Sequence, residues 1–596
     1  MFAYWGKILR VNLSTGSITT EVLREDLVKK FIGGRGLGTK LYMDEVAAEI
    51  DPLSPENKLL FVTGPLTGTA TPTGGRYMVV TKSPLTSTIA SSNSGGFWGA
   101  ELKFAGYDVI ILEGKSAKPV YLKIVDDVVT LEDASHVWGK KVSEATDILA
   151  AEAPEKARIA IIGPAGEKLS LISSIMCDKD RAAGRSGVGA VMGSKNLKAI
   201  VVKGSKKPEI PDLESLKAIT TEKIGKLKEN GVTGTGLPAY GTAVLVNILN
   251  EIGSLPTNNF QTAQFAGAEE ISGELMAEKY LVSKHACFRC PIGCGRVVKI
   301  DEEICGGPEY ETIWCFGADC GISDFKEIMK VNRMCNEMGL DTISAGATIA
   351  AAMELYQKGL LKDNDLDGLT LKFGDASSIV AWTERMGKRI GLGNLMSNGS
   401  YRLCEKYGVP ELSMSVKKQE MPAYDPRGIQ GIGLNYATSN RGGCHVRGYM
   451  ISPEVLGLPE LLDRFATDGK DVWTKIFQDL TAFIDSSGLC LFTSFALGAQ
   501  DYADLLNGVT GWSITAEDVL LAGDRIYNLE KLYNIQAGLT AEDDTLPKRL
   551  LEEAIPTGPS AGKVSLLSEM LPKYYKDRGW NEKGVPTAEK LIELGL

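Results

Sequence analysis

Histidine is scarce in this chain, with three residues among 596, at positions 136, 285 and 445. A site that needs several imidazoles in one place is therefore short of material. No uninterrupted apolar run reaches the roughly 18 residues of a membrane span, and residues 1–10 contain no apolar signal core. The expected location is the cytoplasm. There is no block of Lys and Arg either: 65 cations face 75 carboxylates, for a net charge of −10, which argues against a nucleic-acid partner. Eleven cysteines without an export signal are not expected to form a disulfide framework. Some should bind metal, and most of the rest should be small buried core residues.

What is present is ordinary globular material, 44% apolar and 23% charged, in a chain too long for one core. Residues 1–205 carry short β-branched runs at 59–63, 77–81, 109–112, 120–125, 159–162 and 199–202, separated by Gly, Pro and Asp. Asp126-Asp127 lies between two alternating runs and reads as a hairpin turn. The connectors 63–76, 92–99 and 184–193 are rich in glycine, which lets backbone approach a ligand closely. The polar stretch 204–212, with Lys206, Lys207, Pro208 and Pro211, reads as a linker. Beyond it, apolar residues recur with a 3.6-residue period over 323–338 and 471–484. The expected fold is α+β: a β-rich base domain (1–208), then two mainly helical domains (209–417 and 418–596), with the second boundary near 416–422.

Two of the helices end alike. The first runs into Asn336-Glu-Met-Gly-Leu-Asp341, the second into Asp485-Ser-Ser-Gly-Leu-Cys490. Each is a polar residue, two spacers, Gly-Leu and a ligand-type residue, and Gly339 and Gly488 suit the left-handed cap that ends a helix. Either alone reads as an ordinary C-cap; the pair suggests pseudo-twofold recognition of two similar ligands.

Cys287-Phe-Arg-Cys290-Pro-Ile-Gly-Cys294 is the strongest local motif, because a loop shaped by Pro291 and Gly293 can aim three sulfurs at one centre. Iron–sulfur clusters usually take four thiolates. Zinc with His285 as fourth ligand and a loop of unliganded thiols are the alternatives. The order CxxCxxxC disfavours radical enzymes. For the fourth position Cys490 is attractive because it lies in the second Gly-Leu element; spacing leaves Cys305 open. The segment 181–198, RAAGRSGVGAVMGSKNLK, is rich in backbone donors and cations and could cradle phosphate, or it is simply tight for packing. It holds no P-loop, and Met192 stands where a dinucleotide fingerprint needs glycine. With Asn93-Ser-Gly-Gly96 and Thr73-Gly-Gly-Arg76 it suggests an anionic, non-nucleotide cofactor on the base domain.

Among groups for chemistry, His136 falls in a turn and reads as a surface residue. His285 flanks the cysteines. His445 sits in Arg441-Gly-Gly-Cys-His-Val-Arg447, where an imidazole could act as acid, base or carbonyl-polarising donor. Glu311, in Glu309-Tyr-Glu311 after Gly306-Gly307-Pro308, could supply a carboxylate base. Taken singly, each is also readable as structural.

Read together, the segments TGPLTGT (63–69), TGGRY (73–77), SNSGG (92–96), RAAGRSGVGAVMGSKNLKA (181–199), CFRCPIGC (287–294), GPEYET (307–312), NEMGLD (336–341), RGGCH (441–445) and DSSGLC (485–490) resemble the aldehyde:ferredoxin oxidoreductase family of tungsten enzymes over nearly the whole chain. The resemblance implies cofactors at the domain interface: a tungsten held by two pterins, with molybdenum the less expected metal, one 4Fe-4S cluster and a magnesium ion. It implies that Asn336 and Asp341 bind one pterin and Asp485, Leu489 and Cys490 the other. Asn336 departs from the Asp usual in the family, replacing a charge by an amide. Asn93 and Ala183 would offer backbone carbonyls to the magnesium, which suits oxygen ligands and phosphates. Gly95 and Arg185 would lie near the pterin phosphates, Arg76 would bridge cluster and pterin, and Cys287, Cys290, Cys294 and Cys490 would hold the cluster. Catalysis would fall to Glu311 and His445, acting on an aldehyde or a carboxylic acid, with ferredoxin or an iron–sulfur subunit as electron partner. Formaldehyde, glyceraldehyde 3-phosphate and aromatic acyl thioesters are alternative substrates within the fold, and a zinc-stabilised structural protein is the reading outside it. The inter-subunit iron bound by Glu and His in some members has no evident counterpart here.

Overall fold

Strands in the N-terminal part send alternate side chains into two different apolar cores, as a period of two requires. In the computed structural model, which describes residues 1–596, β1 (Lys7–Asn12), β2 (Ser17–Val22), β3 (Leu59–Thr63), β4 (Tyr77–Lys82), β5 (Ile89–Ser94) and β6 (Val109–Glu113) form one sheet in the order β2-β1-β6-β3-β4-β5. A second sheet contains β7 (Val120–Val125), β8 (Val128–Asp133), β9 (Arg158–Ile162), β10 (Ile175–Cys177), β11 (Arg181–Ala183) and β12 (Leu197–Lys203). Read from the β11 end, it runs β11-β10-β9-β12-β7-β8, which is the first order reversed with six added to every number. Pairing directions repeat too: β1/β6 and β7/β12 are parallel, and the remaining neighbours are antiparallel. The base is a structural duplication.

Leu59 and Phe61 of β3, Tyr77 and Val79 of β4, Leu122 and Ile124 of β7 and Ile200 and Val202 of β12 share one core with Trp98. Their neighbours Leu60, Val62, Met78 and Val80 join a core with the helix Gly34–Glu45, and Ile159, Ile161, Ala199 and Val201 join one with the helix Val142–Glu152. Each large side chain moved from water into these cores contributes about 1.5–3 kcal/mol.

The duplication receives the two Gly-Leu elements. The helix expected over 323–338 spans Phe325–Met338, and that over 471–484 spans Lys470–Ser487; Gly339 and Gly488 cap them at φ +72° and +93°. After β3 comes Gly64-Pro65, and after β9, the matching strand, Gly163-Pro164. A Cβ on Gly64 would lie 2.1 Å from the Ser487 carbonyl oxygen, and one on Gly163 would lie 2.3 Å from that of Met338. Each helix C-terminus thus rests directly on backbone of one half of the base. Gly64→Ala or Gly163→Ala must push a helix end away, at a cost of about 1–3 kcal/mol. Both should lower the thermal midpoint, whereas Gly225→Ala, with open space around its Cα, should not.

The linker expected at 204–212 lies outside regular structure, between β12 and the helix Leu213–Glu229. The chain beyond it is mainly helical, and one apolar cluster runs through it from Leu216 to Trp580. The run of β-branched residues between 281 and 306 is an exception within that region. It forms a three-stranded sheet of β13 (Leu281–His285), β14 (Gly295–Ile300) and β15 (Glu303–Gly306), and the cysteine loop connects β13 to β14. The expectation on apolar runs also meets an exception: Gly231–Glu251 has a mean hydropathy of 1.2 over a span-length window. Pro238 and a left-handed Gly241 at φ +64° break it into short helical pieces, and these wall a cavity.

Candidate active site

A cavity of about 500 Å³ opens between the base and the helical part, with Arg76, Gly95 and Arg181 on one side and Glu311, Asp341 and His445 on the other. Glu311 is in the first turn of the helix Tyr310–Phe316. Its Oε2 accepts the Ala423 N–H at 3.0 Å, and Tyr310 Oη, donating to the Ala423 carbonyl at 2.8 Å, fixes that segment. Oε1 is buried without a hydrogen-bond partner and lies 3.6 Å from His445 Nε2. Burial pushes the Glu311 carboxyl up to about 8, against the pull of the Ala423 N–H and Arg185. Burial also holds His445 well below the usual imidazole range, helped by Arg185 and Arg441, so the ring is neutral. Its Nδ1 is likewise buried and unpartnered. Tyr424 and Tyr449 flank the ring at 5.6 and 5.9 Å between centroids, and their hydroxyls meet at 3.0 Å. Two polar atoms without a protein partner, on residues that line one cavity, mark this pair as a place where a ligand or water can bind.

Cys287, Cys290, Cys294 and Cys490 wall a smaller pocket together with Arg76 and Phe492. Arg289 and Gly293 at φ +48° and +62° let the loop double back. The Phe288 N–H donates to the Gly96 carbonyl at 3.1 Å, the Thr73 N–H to the Arg289 carbonyl at 3.0 Å, and the Cys490 N–H to Thr73 Oγ1 at 3.2 Å. Cys305 is on β15 and does not reach this pocket. Burial pushes the Cys290 thiol up to about 11 and raises the Cys294 thiol well above its ordinary range. Arg76 walls both cavities, donating to Cys490 Sγ at 3.1 Å and to Asn93 Oδ1 at 2.9 Å. Burial opposes its charge and the sulfurs of Cys490, Cys287 and Cys294 favour it; the guanidinium is cationic in either case.

The two Gly-Leu elements differ in what surrounds them. Asn336 and Asp341 line the large cavity. Asp341 caps the helix Thr342–Gln357 through the Ile343 N–H at 3.1 Å and accepts from Arg185 Nε at 3.1 Å. Arg185 also donates to the Gly443 and Glu420 carbonyls, both at 2.6 Å, clamping the base to the loop that carries His445. Asp485 instead is closed over by Arg447 at 2.6 Å and Arg35 at 3.4 Å, and its Oδ1 accepts from Asn93 Nδ2 at 3.2 Å. Leu489 is fully buried beside it. Asn93 on β5 and Ala183 on β11 stand six residues before Gly99-Ala100 and Gly189-Ala190, so the duplication places them at equivalent positions, and β5 and β11 are neighbours. By the same count Gly95 corresponds to Arg185. A Cβ on Gly95 would lie 3.0 Å from Cys287 Sγ. His136 is half exposed beside Glu152, and His285 stacks edge-on against Phe97.

Tyr424, Tyr449 and Arg35 were not singled out from sequence. Arg35, bidentate to Glu530 at 2.7 Å, had one signal, an arginine embedded in Gly33-Gly34-Arg35-Gly36; the tyrosines had none.

The cavity that holds the acid–base pair is also lined by Cys287 and Cys294 of the four-thiol pocket, which sets groups for proton transfer beside groups for electron transfer, the division of an oxidoreductase. Two family models match, "Aldehyde ferredoxin oxidoreductase, N-terminal domain" over residues 8–204 and "Aldehyde ferredoxin oxidoreductase, domains 2 & 3" over residues 218–596, and the chain belongs to this family. It is 56% identical to the tungsten-containing aldehyde ferredoxin oxidoreductase of Pyrococcus furiosus, over 100% of this chain and 99% of the relative. It is 55% identical, with the same coverage, to that of Thermococcus kodakarensis. An aliphatic sulfonate oxidoreductase, WOR-like subunit, of P. furiosus is 32% identical over 100% and 97%. Among solved structures, the active site complex of benzoyl coenzyme A reductase with 1,5-dienoyl-CoA superposes with a TM-score of 0.87 at 27% identity, covering 100% of this chain and 97% of that one.

Proposed function

We propose that this protein oxidises aldehydes to carboxylic acids, reversibly, at a tungsten bis-pterin centre and delivers the electrons through a 4Fe-4S cluster to ferredoxin or a partner subunit. The observation that carries the reading is the buried Glu311–His445 pair, whose free Oε1 and Nδ1 belong to residues walling the same cavity as Arg76.

The residues present fit these groups. Four thiols share one pocket, and four thiolates are the usual ligand set of a 4Fe-4S cluster. Cys287, Cys290, Cys294 and Cys490 would hold the cluster. Asn336 and Asp341 would hold one pterin, and Asp485, Leu489 and Cys490 the other, with Gly95 and Arg185 toward the phosphates. The equivalent carbonyls of Asn93 and Ala183 would hold magnesium between them. Bound there, the tungsten centre would supply a two-electron acceptor and Lewis acid, and the cluster a one-electron outlet.

The overall balance is aldehyde plus water giving acid, two protons and two electrons. Neutral His445 donates an N–H to the aldehyde oxygen, making the carbon more electrophilic. Glu311, as carboxylate, takes a proton from the attacking water or from the former aldehyde carbon. The tyrosine pair and the apolar wall of Val232, Leu245 and Phe495 keep bulk water from this exchange.

Protein purified without oxygen should contain tungsten and about four iron per chain and should reduce viologen dyes with aldehyde; zinc alone would overturn the reading. Because burial pushes Glu311 up to about 8 and only its ionised form accepts a proton, kcat/KM should rise with pH, by about tenfold per unit below that value. A profile flat from pH 6 to 9 would remove Glu311 as the base.

A further inference from the structure

We propose that the outer face of the cysteine loop, with Lys284 of β13 and Arg289 at its centre, is the docking surface for a small acidic iron–sulfur electron carrier; this rests on the function proposed above. The chain is acidic, with 75 carboxylates in 596 residues, yet the three segments that wall the four-thiol pocket contain none. Residues 64–75, 279–300 and 486–500 have no Asp or Glu, and the middle one carries Lys279, Lys284, Arg289, Arg296 and Lys299. Lys284 and Arg289 are exposed. Arg296 faces inward, spending its guanidinium on the Gly293 and Ala239 carbonyls, and Lys299 is tied to Glu302 at 3.2 Å. The acids Asp301, Glu302 and Glu303 stand at the opposite end of the β14–β15 hairpin, about 16 Å along the strands from Lys284 and its partner Arg296. Asp178, next to the loop's support at Gly96 and Phe97, is countered by Arg158 at 3.3 Å, and Glu309, the carboxylate that acts on Cys294 from the cavity side, by Arg181 at 3.5 Å.

The loop is firmly mounted for this purpose. Gly75 leaves room for Phe288, whose Cβ would be 2.9 Å from a Cβ there, and Phe288 packs edge-on against Phe104. Val282, half exposed on the edge strand β13, adds an apolar contact beside the cations. A small, charge-steered patch of this kind suits a carrier that must leave as readily as it arrives. Two electrons leave per aldehyde and such a carrier accepts them one at a time, so two encounters are needed in each turnover.

The test uses the loaded enzyme and a small acidic 4Fe-4S ferredoxin. Lys284→Glu with Arg289→Glu should raise the KM for ferredoxin, and its calorimetric Kd, by about tenfold or more, with benzyl viologen reduction unchanged. In the wild type, raising salt from about 50 to about 500 mM should raise the ferredoxin KM several-fold, and in the variant hardly at all. If Arg289→Glu lowers iron content, Lys284→Glu alone should still raise KM and Kd about threefold. Intact viologen activity with unchanged ferredoxin KM and Kd would overturn the docking surface alone. Absence of aldehyde-dependent viologen reduction in the wild type would overturn the function on which it rests.

Discussion

Glu311→Gln is expected to lower kcat for aldehyde oxidation by about 100-fold or more while leaving tungsten and iron content unchanged. The amide keeps the shape of the side chain and can still accept the Ala423 N–H through its oxygen. What it loses is the ability to take a proton, so the deficit should fall on kcat and the rise of rate with pH should disappear. His445→Asn should also be slow, for a different reason. A shorter side chain held between Tyr424 and Tyr449 cannot place a donor where the imidazole placed one. Its loss of carbonyl polarisation should be largely independent of pH, because the buried imidazole is neutral. The double variant should fall by much less than the product of the single effects, since the two side chains act on one substrate as a unit. Unchanged oxidation in both single variants would remove the pair from the chemistry. Tyr449→Phe, which deletes the 3.0 Å hydroxyl contact to Tyr424 and neither partner of the acid–base pair, should cost far less.

The parts of this site that sequence made legible are those whose geometry is local. Three cysteines within eight residues must share a loop, and a Gly-Leu step after an amphipathic helix must turn out of it, so both motifs stood out without any knowledge of the fold. The base was legible as β-rich because short β-branched runs recur between Gly, Pro and Asp. Its duplication was not, because little identity survives between the halves beyond Gly64-Pro65 with Gly163-Pro164 and Gly99-Ala100 with Gly189-Ala190. Those are the places where backbone meets backbone and a side chain has no room. The closure of Asp485 by Arg35 and Arg447 was invisible because it joins residues 450 and 38 positions apart through side-chain length, which leaves no periodic trace. The equivalence expected of the two Gly-Leu elements holds for their helix caps, Gly339 and Gly488, while the surroundings differ: Asn336 and Asp341 face a cavity, and Asp485 faces a pair of guanidinium groups.

Cys490→Ser should reduce iron from about four to about three per chain or fewer, whereas Cys305→Ser should leave it intact. Cys490 arrives at the pocket from the end of the helix Lys470–Ser487, far in sequence from the loop that supplies the other three thiols, and two contacts hold it there. Its own N–H donates to Thr73 Oγ1, and Arg76, 414 positions away, donates to its sulfur. The backbone N–H of a serine keeps the first contact and its hydroxyl can accept from Arg76 in place of the sulfur, so the fold around it should survive, and circular dichroism of the metal-free protein should be that of the wild type. What is lost is a thiolate, which iron–sulfur clusters require. The consequence should extend past iron content. Arg76 donates to the Cys490 sulfur and stands in the wall between the thiol pocket and the cavity of Glu311 and His445. Replacing the sulfur removes a cluster ligand and weakens the Arg76 contact, so the electron paramagnetic resonance signal of the reduced protein should change and dye reduction should fall by about 100-fold or more. An unaltered four-iron signal in Cys490→Ser, with its loss in Cys305→Ser, would move the fourth ligand to β15. It would also leave Arg76 donating to a sulfur with no part in electron transfer.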